Sequence, residues 1–343
     1  MTLSPLRPTS EERERRLQEI RREAEKLQPS ELHPRQVEPI QQPQASAETG
    51  YYGTPVLKRP QWTVEVPIYF FVGGAAGAAA LIAAVGELAT EDHALIRDAR
   101  WLAAIGGVIS PALLTADLGM PSRFLHMLRV FKVQSPMSVG SWTLVAFSSS
   151  SVGAAMLGEL RRRRPLAGVP FLTSAAQITS ALTGLVLATY TGVLIGATAI
   201  PVWNEHVAEL PAHFAASGLA TAVSLLELRG HESSALNALA IGAALFETAM
   251  GAAIEARATP GTEALRHGVS GQAMRGAGFL SGPLPLALRI LGLLSKRNQQ
   301  QFRRAAAVSS VLGSLLTRWA WVRAGTASAE DPRVPLQIEK HTP

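Results

Sequence analysis

The segment from residue 117 to 137, here called the hinge, carries charged and titratable side chains between two long apolar stretches. Charged groups at the edge of a hydrocarbon layer are costly unless they pair, bind a ligand or face water, so the cluster predicts a functional site. A histidine here could also accept a proton near neutral pH. A structural clamp between Asp117 and Arg123, with a histidine that is an ordinary surface residue, is the alternative. The side chains concerned are Asp117, Arg123, His126, Arg129 and Lys132.

A second set of ionisable residues lies inside or beside later apolar stretches. His213 and Glu247 each lie within one such stretch, and Glu227 lies near the end of another. Together with Glu87 and Glu159 they could form a route for protons across a membrane. Isolated hydrogen bonds between helices are the alternative interpretation, because buried ionisable groups also serve packing.

The composition predicts an integral membrane protein. Of 343 residues, 47% are hydrophobic and only 17% are charged, and the mean hydropathy is +0.16. The basic residues form short clusters beside apolar runs, which marks a membrane edge and gives no reason to expect a nucleic-acid partner. The chain has no cysteine, which excludes disulfides, thiolate zinc sites, cysteine-held iron–sulfur clusters and c-type haem within it. Because only His213 lies clearly inside an apolar stretch, we expect no haem or metal.

The apolar stretches predict an all-α integral membrane protein with eight transmembrane helices, since a spanning helix needs roughly 17–25 mainly apolar residues. The uncharged stretch from Pro165 to Pro201 predicts one overlong or tilted helix. Small residues at helical spacing predict close helix packing, as in the pairs Gly73 with Gly77 and Gly192 with Gly196. The predicted spans are 67–89, 99–116, 138–159, 167–200, 206–228, 233–255, 275–295 and 302–323.

The sequence further predicts three regions. Residues 1–60 form a polar, largely disordered tail with one charged helix, 61–325 form the membrane domain, and 326–343 form a disordered tail. Eight spans place both termini and the hinge on one side of the membrane and the cluster Arg161 to Arg164 on the other. Charge alone leaves the orientation open, because the basic residues on the two sides nearly balance.

Several blocks resemble the polysulfide reductase membrane subunit family, also called NrfD-like. They are the run PIYFFVGG from Pro67, DLGMPSRF from Asp117, SPMSVGSW from Ser135, YTG from Tyr190 and PVWN from Pro201. The resemblance spans most of residues 62–325, and its middle block is specific because two elements occur in order at the expected separation. Met120 departs from the family pattern, which frequently has a basic residue there.

The resemblance implies two four-helix bundles, a menaquinone or ubiquinone site in the first, and a periplasmic hinge. It also implies partner subunits that carry the redox centres: a periplasmic iron–sulfur subunit of ferredoxin type, and a molybdopterin or multihaem subunit. A quinone head group needs apolar or aromatic walls, hydrogen-bond donors and a proton acceptor near water. Helix ends that meet at one membrane face make several side chains candidates: Asp117, His126, Ser138, Trp142 and Tyr190, with Glu65 at the mouth.

The candidate roles differ between these residues. By resemblance, Tyr190 is the donor to a quinone carbonyl; a packed core tyrosine bonded to a neighbouring helix is the alternative. Gly119 and Pro121 suit a sharp exit from the second span, since glycine tolerates positive φ and proline stops a helix. Two functions follow: a quinone-reactive subunit of a respiratory oxidoreductase, located in a bacterial inner membrane, or a transporter or ion-translocating bundle that uses His213, Glu227 and Glu247.

Overall fold

The chain divides into two compact units, Met1–Pro43 and Gln44–Pro343. In the first unit, the described residues are helical and exposed, within the predicted charged helix. The rest of the predicted N-terminal tail up to residue 56 lies outside the described residues. The computed structural model describes residues 15–19, 22, 57–89, 92–118, 122–164, 166–256, 262–295 and 297–331, with Arg123 described by its backbone only.

From residue 57 onward the described chain is built of helices and short connections and contains no strand, which confirms the all-α prediction. The helices are α1 (Glu65–Leu88), α2 (His93–Asp117), α3 (Ser122–Met127), α4 (Pro136–Arg163), α5 (Val169–Gly196), α6 (Pro201–Glu205), α7 (Leu210–Leu228), α8 (Ser234–Ala256), α9 (Glu263–Arg266), α10 (Gly268–Ser281), α11 (Pro283–Leu294) and α12 (Gln299–Glu330).

Six of the described helical segments are long and apolar enough to cross a membrane: α1, α2, α4, α5, α8 and the α10–α11 pair. Helices α7 and α12 coincide with the other two predicted spans but do not meet the same criterion of length and apolarity. The chain is therefore a multi-pass helical membrane protein. The count of eight crossings stays a prediction.

The stretch predicted as one overlong helix from 167 to 200 does form one helix of 28 residues, longer than the roughly 17–25 that a span needs, but the predicted end at 200 is wrong. Helix α5 ends at Gly196, and α6 begins at Pro201 after a non-helical turn. Proline disfavours helical backbone in the residue before it, and Ile200 is accordingly extended at φ −72° and ψ 119°. The C-terminal boundary also differs, because α12 continues through residues 326–330. The remainder of that predicted tail, from 332, lies outside the described residues.

Helix α1 is the central element of the membrane domain. It packs against α2 and α5, which belong to the earlier half of the chain, and against α7 and α12, which belong to the later half. Close approach depends on glycine: a side chain on Gly77 would overlap the backbone at Gly184, and one on Gly218 would come within 2.8 Å of the Gly74 carbonyl oxygen. Because α1 contacts helices of both halves, the division into two bundles stays a prediction.

Contacts between helix ends define the two ends of the domain. At the first, the hinge end, Arg59 pairs with Glu330 at 3.1 Å, which joins the segment before α1 to the end of α12. At the other, the arginine end, Arg161 lies 3.5 Å from Glu87 and Arg229 lies 3.3 Å from Asp98. The hinge and the Arg161 to Arg164 cluster are thus at opposite ends of the helices.

Candidate functional site

At the hinge end, Asp117 joins the end of α2 to the start of α1. Its Oδ1 accepts hydrogen bonds from the backbone N–H of Thr63 at 3.2 Å and from the Thr63 hydroxyl at 2.6 Å. Glu65 is half-buried in the first turn of α1, two residues further on. Gly119 and Pro121 lie outside the described residues, as does the Arg123 side chain. The predicted Asp117–Arg123 clamp therefore stays a prediction.

Tyr190 lies buried near the same end, on α5. Its hydroxyl donates a hydrogen bond of 2.6 Å to the backbone carbonyl of Pro136, in the first turn of α4. The ring lies directly against Gly140, where any side chain would overlap it. Tyr190 is thus a packed tyrosine bonded to a neighbouring helix, and the same hydroxyl is the group that the family resemblance assigns to a quinone.

The other predicted residues of this group lie on the hinge or in the first two turns of α4. Ser138 hydrogen-bonds to the backbone of the hinge. Its hydroxyl donates to the Val130 carbonyl at 3.1 Å and accepts from the Lys132 N–H at 3.0 Å. Trp142 is 40% exposed and packs edge-on against Phe131. His126 is exposed on the short helix α3. Among the described residues, no hydrogen bond joins the Asp117 group to the Tyr190 group.

A second group of ionisable side chains is buried between α7, α8 and α12. His213 Nδ1 lies 3.4 Å from Glu247 Oε1, and the other Glu247 oxygen accepts from the Ser281 hydroxyl at 3.0 Å. Arg318 interacts electrostatically with both, donates to the Phe214 carbonyl at 2.8 Å and lies over the Phe214 ring. In the described part of the chain, His213 Nδ1 and Glu247 Oε1 have no hydrogen-bond partner of good geometry.

This buried pair faces a cleft of about 310 Å³. Leu265, Met274 and Phe279 give the cleft apolar walls, and Glu255 and Arg275 are exposed at its outer part. A buried carboxyl group that faces an imidazole and connects to an exposed rim can exchange protons with solvent through ordered water. The structure thus places His213 and Glu247 side by side at this cleft, and a role in proton transfer stays a prediction.

Glu227 does not belong to that pair. Arg289 binds it with two parallel hydrogen bonds, of 2.9 and 2.6 Å, and Arg289 also bonds Asn237 at 2.9 Å. Glu227 lies fourteen residues beyond His213 on α7, which is about 21 Å along a helix. The predicted proton route through His213, Glu227 and Glu247 is therefore not contiguous in the structure.

The remaining glutamates of the predicted route are paired at the arginine end. Glu87 accepts from Arg100 at 2.5 Å, and Glu159 accepts from Arg162 and Arg163 at 2.8 and 2.9 Å. Within the described ranges, no three His, Asp or Glu side chains are grouped so that they could hold a metal ion.

Sequence reasoning did not single out Arg289 and Arg318, which compensate the two buried carboxylates. Both are buried almost completely, at 1% and 0% exposure. The sequence could have identified both, because each is an arginine within a predicted apolar span. Glu247 was identified by the same criterion, a charged residue inside such a span.

The long apolar helices, with ion pairs buried between them, define a class of protein: a polytopic membrane protein. Comparison with known families shows to which family of membrane proteins the chain belongs. The family model described as polysulfide reductase, NrfD_2, matches residues 48–330. The chain belongs to this family, which confirms the resemblance seen in the sequence blocks. No curated protein matches the chain. The family is one of membrane subunits of redox complexes, so this chain is a membrane subunit that works with catalytic partners.

Proposed function

We propose that the protein exchanges electrons between the membrane quinone pool, menaquinone or ubiquinone, and a periplasmic partner in a respiratory oxidoreductase. The partner is an iron–sulfur subunit of ferredoxin type, together with a molybdopterin or multihaem subunit. Family membership supports this proposal. The lack of cysteine also supports it, because cysteine-ligated clusters must then be held by another chain.

The observation that carries the proposal is the convergence of hydrogen-bonding groups at the hinge end. The start of α1 and the end of α2 bring Glu65 and Asp117 to Thr63, and α5 brings Tyr190 to the first turn of α4. Phe131 and Trp142, which pack edge to face, supply aromatic surface at the same end of the helices. Polar donors beside aromatic and apolar walls at a membrane edge are what a quinone head group requires.

Two of these groups have distinct chemical roles in the proposal. Oxidation of a quinol releases two electrons and two protons; the two electrons pass to the partner's redox centre, and the two protons pass one each to the carboxylates of Asp117 and Glu65 and from there to water. Reduction of a quinone takes up the same electrons and protons. The Tyr190 hydroxyl must exchange its acceptor from the Pro136 carbonyl to the quinone oxygen, which is a rotation about one bond.

The test uses the assembled complex and a non-reactive quinone analogue. Asp117→Asn and Tyr190→Phe should weaken analogue binding severalfold, since one hydrogen bond contributes about 0.5–1.5 kcal/mol. Glu247→Gln is the control, and it should leave analogue affinity unchanged because Glu247 lies in the separate cleft. Unchanged affinity in both hinge variants, with normal assembly, would contradict a quinone site at the hinge end.

The buried pair His213 and Glu247 favours a second function, proton translocation through the later helices. Their unsatisfied nitrogen and oxygen atoms face the cleft. In vesicles that contain the whole complex, Glu247→Gln would then abolish proton transport while quinol oxidation and analogue binding continue. If Glu247→Gln leaves transport intact, the pair serves packing only.

A further inference from the structure

A large cleft opens at the arginine end, away from both sites described above. Its volume is about 740 Å³, and it lies between the end of α1, the start of α2 and the end of α4. The polar residues that line it are Glu87, His93, Arg97, Arg100, Arg161 and Arg162, together with Glu159.

The cleft carries a surplus of positive charge. Four arginines and two glutamates line it. Arg100 is committed to the protein, because it binds Glu87 and donates to the Gln177 side chain at 2.8 Å. The Arg97 and Arg161 side chains are 45% and 50% exposed. Arg97 donates from Nε and Nη2 to Asp98 at 3.3 Å, and Arg161 approaches Glu87 only to 3.5 Å through Nη1. A guanidinium has five N–H donors, so each of these arginines has N–H groups beyond those in its ion pair that can bind an anion.

The cleft lies at helix ends, at the level where lipid head groups are expected. All three helices that form it are apolar enough to span a membrane, so their ends lie near the membrane surface. An exposed apolar stripe continues from the cleft along α2, with Trp101, Ile105 and Val108 at 40%, 53% and 59% exposure. These residues are four and three positions apart and share one helix face. Tryptophan is enriched at the interface between lipid and water.

We propose that this cleft binds the head group of an anionic phospholipid, with the phosphate at Arg97 and Arg161 and an acyl chain along Trp101, Ile105 and Val108. Arginine recognises phosphate with charge-assisted hydrogen bonds. Basic pockets between transmembrane helices bind anionic head groups by the same chemistry. Charge complementarity selects an anionic over a zwitterionic lipid, and the apolar stripe selects a lipid over a free phosphate ion.

The experiment titrates the purified, delipidated full-length chain in detergent with phosphatidylglycerol that carries brominated acyl chains. Bromine quenches a nearby tryptophan, and Trp101→Phe identifies the share of quenching that comes from Trp101. The double variant Arg97→Gln with Arg161→Gln should weaken binding about thirtyfold, because each of the two basic residues contributes about 1 kcal/mol near an anionic surface and about 1.4 kcal/mol is a factor of ten.

The matched control is Arg163→Gln with Arg164→Gln, which removes the same charge from the same end without changing a residue that lines the cleft. It should change the affinity less than twofold. Equal weakening in both double variants would show attraction to the surface charge alone and overturn the proposal. Equal binding of brominated phosphatidylcholine, or full displacement by millimolar inorganic phosphate, would overturn the assignment to an anionic lipid. Native mass spectrometry of the same variants gives an independent measure of the retained lipid.

Discussion

At the scale of single residues, the two buried carboxylates are held in different ways. Glu227 has a bidentate arginine partner, whereas Glu247 has one serine donor and an imidazole at 3.4 Å. A carboxylate with full compensation is fixed in one state, because removing or adding its proton breaks strong hydrogen bonds. Glu247 has fewer such bonds to lose, although Arg318 also interacts with it electrostatically, and it is therefore the residue to change in the proton-transport test.

The Glu227–Arg289 pair yields a stability prediction. Arg289→Leu should lower the free energy of unfolding by about 3–5 kcal/mol, because it leaves a buried carboxylate without its counter-charge. Adding Glu227→Leu should recover much of the loss, since it removes the uncompensated charge. Denaturant titration in detergent micelles measures the free energy of unfolding of both variants.

Arg162→Leu, at an exposed pair with Glu159, is the control and should change the free energy of unfolding little. A loss as large as that of Arg289→Leu would contradict the burial argument.

The sequence was sufficient to single out several charged residues of the sites, but it did not predict their hydrogen-bond partners. Asp117, Glu227 and Glu247 stood out because charge inside or beside an apolar stretch is costly. Their partners Thr63, Arg289 and Ser281 are 54, 62 and 34 positions away. Such pairings depend on how helices pack, which local pattern does not encode.

At the scale of helices, glycine positions decide how closely α1 approaches its neighbours. The sequence pattern identified Gly73 and Gly77, whereas the close contacts use Gly77 with Gly184 and Gly74 with Gly218. Helix positions were predictable because apolar length alone identifies a span. The face that each helix turns toward α1 could not be predicted, since α1 is apolar on all sides and has small residues all round its middle turns, from Gly73 to Ala80.

Gly77→Ala should destabilise the protein by about 1–3 kcal/mol, because the added methyl group meets the Gly184 backbone and forces α1 and α5 apart. Gly242→Ala on α8 is the matched control, since no atom lies within 4 Å of a side chain there. That change should raise stability by about 0.5–1 kcal/mol through helix propensity. Thermal unfolding in detergent compares the two, and a Gly77 variant as stable as the Gly242 variant would show that the helices tolerate separation.

At the scale of the whole molecule, the contacts place the hinge and the arginine cluster at opposite ends of the domain. They do not determine which end lies on which side of the membrane. We expect the hinge end to be periplasmic and the arginine end cytoplasmic, since the densest basic clusters remain on the cytoplasmic side. The chain has no cysteine, so single cysteines introduced at Lys58 and Arg163 report without background. An impermeant maleimide should label position 58 but not 163 in intact cells. Labelling of 163 alone would reverse the orientation.

The central place of α1 has a consequence for biosynthesis. Helices leave the ribosome in chain order, so α1 is made before the helices that pack on it, and α7 and α12, which cover its Gly74 face, follow long afterwards. Until they arrive, the nascent chain carries an uncovered surface of small residues. Arg318, the buried cation nearest His213 and Glu247, also enters only with the last helix. A translation product that stops before α12 therefore leaves part of the Gly74 face of α1 uncovered and leaves His213 and Glu247 without the Arg318 cation.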